Sequence, residues 1–152
     1  MEKSKDELLL HIARLEAILD SLPFDVWMKD EKGTYLIVNQ SVADDTGLPK
    51  EDILGKNDHD LYSGEAADFY VSSDKEILEG MVRDVYVTRF SAGTFEEYKK
   101  LVYGRFGELL GTAGYSKDIT SQELIRNELA QSEERFRTIF EEAPLGMAIF
   151  DA

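Results

Sequence analysis

The stretch FDVWMKDEKGTYLIVNQ, residues 24–40, decides the fold that we predict from the sequence. Two runs rich in apolar and β-branched residues, 24–29 and 34–38, flank a polar turn that ends in Gly33, and this arrangement is typical of a β-hairpin. Asn39 follows the second run, where its side-chain oxygen can accept a backbone N–H at the start of a helix. We therefore predict two strands that lead directly into a helix.

The residues after this hairpin predict short helices and then three strands. Pro49 occupies a position typical of a helix start, and Ser73 with Glu76 has capping-box spacing, which predicts another start. Three stretches rich in Val, Tyr, Thr and Phe follow, at 82–90, 94–105 and 108–119. This α+β order predicts a five-stranded antiparallel sheet, made of a hairpin and a three-stranded meander, with helices packed on one face.

Amphipathic helices are predicted on both sides of this domain, at 1–22 and 121–143. Ser4 with Glu7, and Thr120 with Glu123, have capping-box spacing. The apolar stripe of the first helix is Leu8, Ile12, Leu15, Leu19 and Leu22, and that of the second is Ile125, Leu129, Phe136, Ile139 and Ala143, interrupted by Ser132. Their mean period of about 3.5 residues favours a helix–helix seam, which for the first helix forms either against the domain or against a second copy of the chain. We predict a dimer seam at Ile125, Leu129, Phe136 and Ile139.

The end of the sequence resembles its beginning. LEAILDSLPFDVWMKD (15–30) and FRTIFEEAPLGMAIFD (136–151) align without gaps, so that a helix, a proline, an apolar strand and an aspartate recur in the same order. We interpret 144–152 as the truncated start of a second copy of the 23–120 domain. Chance similarity between two amphipathic helix ends is the alternative.

The composition limits the classes of partner. The chain has 17 Lys and Arg against 31 Asp and Glu, a formal net charge of −14. Because nucleic-acid phosphates and anionic lipids repel an acidic surface, we predict no nucleic-acid partner and no direct membrane contact. With no cysteine, no long apolar run and no signal peptide, we expect a cytoplasmic protein.

Three motifs in order resemble those of PAS sensory domains. They are VWMKDEKGTYLIVNQSVADDTG (26–47), EDILGKNDHDLYSGEAADFYVSSDKEILEG (51–80) and GELLGTAGYSKDIT (107–120). The resemblance implies a PAS domain at 23–120 and an input module of a larger signal transduction protein, of the histidine kinase or cyclic-di-nucleotide type. Such a module senses a small molecule and passes the change through a dimeric C-terminal helix to a downstream effector domain, so catalysis would lie outside this chain. A ligand-free dimerisation and protein-interaction module is the alternative.

The resemblance also implies where the signal would leave the domain. Its closing motif is Asp118, Ile119 and Thr120, in which Asp118 would end the last strand and Thr120 would cap the outgoing helix. A strain in the sheet could then move the helix seam. The alternative is that these residues merely end a strand and start a helix.

Aromatic residues are the candidates for the lining of a ligand pocket. They are Trp27, Tyr35, Phe69, Tyr70, Tyr86, Tyr103 and Tyr115, and plain core packing is the alternative for this set. Haem is disfavoured because neither histidine, His11 or His59, lies on the later helix (66–79) where haem-binding members of the family usually place their ligand. The absence of cysteine excludes a cysteinyl-flavin adduct, and a noncovalent small molecule stays open.

Two short motifs match known catalytic or metal-binding patterns, but their sequence context favours structural roles for them. Asp45-Thr46-Gly47 matches the tripeptide of aspartic proteases, yet it lacks a second such carboxylate and lies where a helix should end. The run NDHD at 57–60 does not continue into a calcium loop. We predict a solvated loop and helix cap there, and no catalytic or metal site.

Overall fold

The computed structural model describes residues 4–142. The chain divides into two compact units, Met1–Asp118 and Ile119–Ala152. In the first unit the helices are α1 (Lys5–Asp20), α2 (Gln40–Thr46), α3 (Lys50–Ile53), α4 (Asp58–Leu61) and α5 (Gly64–Leu78), and the strands are β1 (Asp25–Lys29), β2 (Tyr35–Val38), β3 (Tyr86–Phe90), β4 (Gly93–Tyr103) and β5 (Leu109–Asp118). The second unit contains α6 (Thr120–Glu142).

The five strands form one antiparallel sheet in the order β2-β1-β5-β4-β3. The predicted α+β class, hairpin and meander are therefore confirmed. Pairing of β1 with β5 joins the hairpin to the meander, with Trp27 opposite Gly114. Glycine is required at this position, since a Cβ on Gly114 would lie 2.1 Å from the Tyr98 carbonyl oxygen of β4.

Asn39 connects three elements at the start of α2. Its Nδ2 donates to the carbonyl oxygens of Leu19 and Phe24, both at 2.9 Å, and its Oδ1 accepts from the backbone N–H groups of Val26 at 3.1 Å and Val42 at 3.4 Å. The predicted helix cap is confirmed, but the side chain also holds the end of α1 and the start of β1. It is fully buried, so each of these bonds replaces one to water.

The apolar core lies between the hairpin and the short helices. Its buried members are Tyr35, Val38, Val42, Ala43 and Ile53, with the partly buried Trp27, Leu48, Leu61 and Tyr62 packed against them. Gly47 ends α2 in the left-handed conformation, at φ 72°, as the helix punctuation predicts.

The prediction of a helix start at Ser73 was wrong. α5 continues from Gly64 to Leu78 through this position. The Ser73 hydroxyl instead accepts a hydrogen bond from the Lys99 ammonium at 2.6 Å. A tertiary contact therefore uses the side chain that local spacing assigns to a cap.

The apolar side chains of α6 are exposed. None of its described residues is buried, and Ile125, Leu129, Phe136 and Ile139 are each at least 59% exposed. Within residues 4–142, no helix combines the length and the apolar character needed to cross a membrane.

Candidate ligand cavity

A cavity of about 540 Å³ lies in the first unit, between the sheet and the helical segment. This volume falls in the range of about 300–1,000 Å³ that is usual for small-molecule sites. Residues of β1, β4 and β5 form one wall, and residues around α4 and α5 form the other. The groups that decide its chemistry are two lysines, several carboxyl groups and a set of aromatic rings.

Two lysines are buried beside the cavity within a network of charges. The Lys29 ammonium donates to Asp58 Oδ2 at 2.6 Å and to Asp74 Oδ2 at 2.7 Å, and Lys99 donates to Asp74 Oδ1 and to Ser73. Lys29 is 1% exposed and Lys99 4%. Burial of two ammonium groups would be strongly unfavourable without these two carboxylates.

Aromatic rings complete the environment of the ammonium groups. Lys29 Nζ lies 4.8 Å from the centroid of the Trp27 ring and 4.9 Å from that of Tyr35, and Lys99 Nζ lies 5.2 Å from the Trp27 ring. These are cation–π distances. Burial, together with the neighbouring Lys29 charge, lowers the pKa of Lys99, although Asp74 opposes this shift.

Glu97 is the buried carboxyl group without a matching cation. It lies on β4, is 4% exposed, and accepts a hydrogen bond from Ser116 Oγ at 3.3 Å through Oε1. Its Oε2 completes no hydrogen bond within the described residues, and neither does the nearby Thr88 hydroxyl. Burial raises the pKa of Glu97, and the neighbouring hydroxyl groups of Thr88, Ser116 and Tyr70, together with the charge of Lys99, oppose the rise.

Asp25 and Asp45 bring further negative charge to the cavity lining. Asp25 accepts a hydrogen bond from Ser41 Oγ at 2.6 Å. The pKa of Asp25 is raised to about 7, mainly by burial. The nearby charges of Asp45 and Asp44 contribute to this rise, and the hydrogen bond from Ser41 opposes it. Near neutral pH this carboxyl group is therefore only partly ionised.

The tyrosines around the cavity are held in the neutral form. Burial is the main cause that raises the pKa of Tyr35, Tyr62 and Tyr70 above the usual value. Tyr35 donates its hydroxyl proton to Asp58 Oδ1 at 2.7 Å. Burial also raises the pKa of Tyr86 to about 12, and its hydroxyl has no hydrogen-bond partner within the described chain.

The predicted pocket aromatics separate into two groups. Trp27, Tyr35, Tyr70 and Tyr115 line the cavity. Phe69 instead packs against Tyr86, with ring centroids 6.3 Å apart. Tyr103 does not line the cavity, because it follows a register shift at the far end of β4 and is 59% exposed. A ligand role for any of these residues stays a prediction.

The charged part of the cavity was not predicted from the sequence. Five charged residues are buried there, and no local spacing distinguishes them from the exposed or half-buried charged residues of the same strands and helices. They are Lys29, Lys99, Glu97, Asp58 and Asp74. The prediction for 57–60 needs a correction at Asp58. Asn57 and Asp60 do form a capping box, but Asp58 is 1% exposed because it pairs with Lys29.

The predicted signalling junction lies between β5 and α6. Asp118 is the last residue of β5 and Thr120 the first of α6, with Ile119 between them. Their role in signalling and the seam role of α6 stay predictions. Asp45 lies in α2, which ends at Gly47. Among residues 4–142, no cluster of three or more His, Asp or Glu side chains could hold a metal ion.

Comparison with known proteins gives a family and a group of relatives. The model of the PAS fold matches residues 13–88, half of the chain. A diguanylate cyclase of Vibrio cholerae is 27% identical over 123 residues, which are 76% of this chain and 38% of the cyclase. The methanogenesis regulatory histidine kinase FilI of Methanothrix harundinacea is 27% identical over 79% of this chain and 14% of the kinase. The chain thus spans less than half the length of either relative.

Solved structures share the fold. The PAS domain of a Colwellia psychrerythraea protein has a TM-score of 0.57 at 18% identity, covering 73% of this chain and 98% of that domain. VqmA of Vibrio cholerae, in a complex with ligand and DNA, has a TM-score of 0.59 at 21% identity, covering 71% of this chain and 51% of VqmA.

The prediction that the protein has no nucleic-acid partner was wrong, because net charge does not exclude such a partner for a protein with this fold. The VqmA complex shows this fold within an assembly that contains DNA. The net charge of one segment therefore says little about what the rest of such a protein binds. The sheet order, the helical segment between β2 and β3 and the match over residues 13–88 agree with one another, and the chain belongs to the PAS family.

Proposed function

We propose that the chain is a sensory input module of a larger signal transduction protein of the histidine kinase or cyclic-di-nucleotide type. In this proposal residues 23–120 bind a small molecule, and the 121–143 helix, paired with that of a second copy, passes the change to an effector. The observation that carries the proposal is the cavity of about 540 Å³. Its lining includes the buried carboxyl group of Glu97, whose Oε2 completes no hydrogen bond within the described residues. An unpaired buried acceptor is costly unless a partner completes it.

The connection to α6 supports the relay step. Tyr115 and Ser116 of β5 line the cavity, and the same strand ends at Asp118, with one residue between it and the start of α6 at Thr120. A ligand that contacts β5 would therefore act on the strand that leads into the helix. The assignment of 144–152 to a second domain falls outside the described residues and stays a prediction.

A ligand-free relay is the second candidate. Four buried charged groups, Lys29, Lys99, Asp58 and Asp74, pair with one another and need no ligand. The exposed apolar stripe of α6 could support dimerisation whether or not the cavity is filled.

A native mass spectrum and an absorption spectrum of the purified chain, followed by thermal shifts across a metabolite panel, test the proposal. We expect extra noncovalent mass, a visible band, or a rise in melting temperature with at least one metabolite. Ala66→Phe, which adds a ring at the cavity wall, should abolish that signal, whereas Ala13→Phe on exposed α1 should retain it. A clean apo mass with no shift in the whole panel would favour the ligand-free relay.

A further inference from the structure

The positive charges in the cavity lining are already neutralised by the protein. Lys29 lies 2.6 Å from Asp58 and 2.7 Å from Asp74, and Lys99 pairs with the other oxygen of Asp74. Two ammonium groups thus face two carboxylates in a cluster whose members are all nearly buried. An anionic ligand would find no uncompensated cation there, and it would have to displace Asp58 or Asp74 to obtain one.

The remaining charged groups of the lining are acidic. Glu97 is almost wholly buried, Asp25 is half-buried, and Asp45, Glu65 and Asp118 are exposed. Among the cavity residues of the described chain, Lys29 and Lys99 are the only cationic side chains. The uncompensated charge of the cavity is therefore negative, which favours a ligand of positive charge.

Glu97 provides an observation that is independent of this charge balance. Its side chain is almost wholly buried, it lines the cavity, and its Oε2 completes no hydrogen bond within residues 4–142. The donors beside it, the hydroxyl groups of Thr88 and Tyr70, are neutral. A carboxylate oxygen accepts hydrogen bonds only, so the group that completes it must be a donor. A charged donor gives the stronger bond at such a site.

The walls suit an apolar or aromatic body attached to that donor. Tyr70 and Phe90 both line the cavity, and their rings are 5.8 Å apart in an edge-to-face arrangement. Trp27, Tyr62, Phe95 and Tyr115 add further aromatic surface. Aromatic faces attract organic cations as well as apolar groups.

We propose, on the basis of the sensory function proposed above, that the ligand is a small organic amine that carries a positive charge, with its ammonium group bound to Glu97. The aromatic walls hold the rest of the molecule, and Asp25, Asp45 and Glu65 favour its entry through their charge. Lys29 and Lys99 remain paired with their aspartates throughout.

Calorimetric titration with two matched sets of probes tests the charge of the ligand. The first set is 2-phenylethylamine, 2-phenylethanol and phenylacetate, and the second is pentylamine, pentanol and pentanoate. Within each set the body is constant while the end group is cationic, neutral or anionic. We expect at least one amine to bind at least about tenfold more tightly than its alcohol and its carboxylate, as a charge-assisted hydrogen bond requires.

The variant Glu97→Gln tests the assigned contact. It keeps the shape of the side chain and removes its charge, so amine affinity should fall by at least about tenfold while affinity for the alcohol changes little. Glu31→Gln, at an exposed turn position outside the cavity, is the matched control and should bind the amine as the unaltered chain does. If Glu97→Gln fails to fold, the comparison of end groups in the unaltered protein still decides the question.

The outcomes separate this inference from the sensory function. Preferential binding of a carboxylate or an alcohol would overturn the amine assignment and leave a sensory role standing. Equal amine binding by Glu97→Gln and Glu31→Gln would overturn the assigned contact. If neither amine binds the unaltered protein, the assignment to this ligand class is wrong. The sensory function itself would be contradicted only if no compound of the metabolite panel produced a thermal shift either.

Discussion

At the scale of single residues, Lys29 holds two buried carboxylates. Lys29→Met retains most of the apolar stem but leaves Asp58 without a cation and Asp74 with Lys99 alone. We expect the free energy of unfolding to fall by about 3–5 kcal/mol, because an unpaired charge remains in the interior. Urea denaturation measures this change.

Lys50→Met is the matched control for that experiment. Lys50 pairs with Asp20 at 2.6 Å, but both side chains are about one-third exposed. Water can replace the lost partner, so the expected loss is at most about 1 kcal/mol. Similar losses in the two variants would show that burial of the Lys29 network does not matter for stability.

Asp25 should make stability depend on pH. Its carboxyl group has a pKa of 3.8 when unfolded and about 7 in the folded chain, so between these values the folded state holds more protons than the unfolded state. The free energy of unfolding contributed by this group therefore falls as pH rises from about 4 to about 7, and it is constant above that.

The variant Asp25→Asn removes this dependence and retains an acceptor for Ser41. At pH 8 its free energy of unfolding should be roughly 1–2 kcal/mol above that of the unaltered chain. This value is smaller than the full pKa shift of Asp25 would give, because the carboxyl group is partly solvated. The advantage should vanish by pH 4. Melting curves over this range decide it, with Asp84→Asn at an exposed loop position as the control. An advantage independent of pH would contradict the assignment.

These charged residues show the limit of prediction from one sequence. Lys29 meets Asp58 and Asp74 across 29 and 45 positions of the chain. Nothing near any of them in the sequence distinguishes a buried charge from a solvated one. Trp27 and Tyr70 could be proposed as lining because a large aromatic side chain is a candidate for burial wherever it occurs.

At the scale of elements, the pairing of β5 with β4 requires a residue without a side chain at Gly114. A Cβ at Gly114 would lie 2.1 Å from the backbone oxygen of Tyr98, which cannot move without separating β4 from β5. Gly114→Ala should therefore lower the free energy of unfolding by at least about 2 kcal/mol. Urea midpoints measure the loss.

Gly104→Ala is the control for the strand. Its Cβ would meet only the flexible carboxylate of Glu108, which can turn aside. We expect a loss below about 1 kcal/mol. If Gly114→Ala lowered the free energy of unfolding no more than Gly104→Ala does, the close approach of β4 and β5 at Gly114 would not matter for stability.

The helices and strands were predictable where their signals are local. Asn39 and Gly47 act within one turn of the backbone that they cap, and the capping box of Ser4 and Glu7 is present as spaced. Ser73 was misinterpreted because its partner, Lys99, comes from another element. Local spacing cannot reveal a contact between a helix and a strand that follows it by more than twenty residues.

At the scale of the whole molecule, the described chain leaves the stripe of α6 exposed. If two copies pair through it, Ile125→Asp should lower the apparent mass in light scattering from that of a dimer toward that of a monomer, because a buried carboxylate at the seam is unfavourable. Asn127→Asp, on the opposite side of α6, adds the same charge and should leave the mass unchanged. A dimer that survives Ile125→Asp would remove the seam hypothesis.

The fold class was predictable because it depends on the order of helices and strands along the chain. The classes of binding partner were not predictable from the net charge. Net charge is a sum over the chain, and it does not describe other domains of a longer protein. The VqmA complex with DNA shows the error of extending that sum to the choice of partners.

The hydrogen bonds of Asn39 limit how far the PAS domain can be shortened at its N-terminal side. A shortened chain that begins at Pro23 would lose the Leu19 carbonyl and leave a buried amide N–H without its acceptor. It would also lose Asp20, whose Oδ1 accepts from the Gln40 backbone N–H at 2.8 Å. The last turn of α1 is thus part of what the domain needs to fold. Any rotation imposed on that helix from outside would reach the β1–α2 corner through two polar contacts, the Asn39 amide and the Asp20 carboxylate.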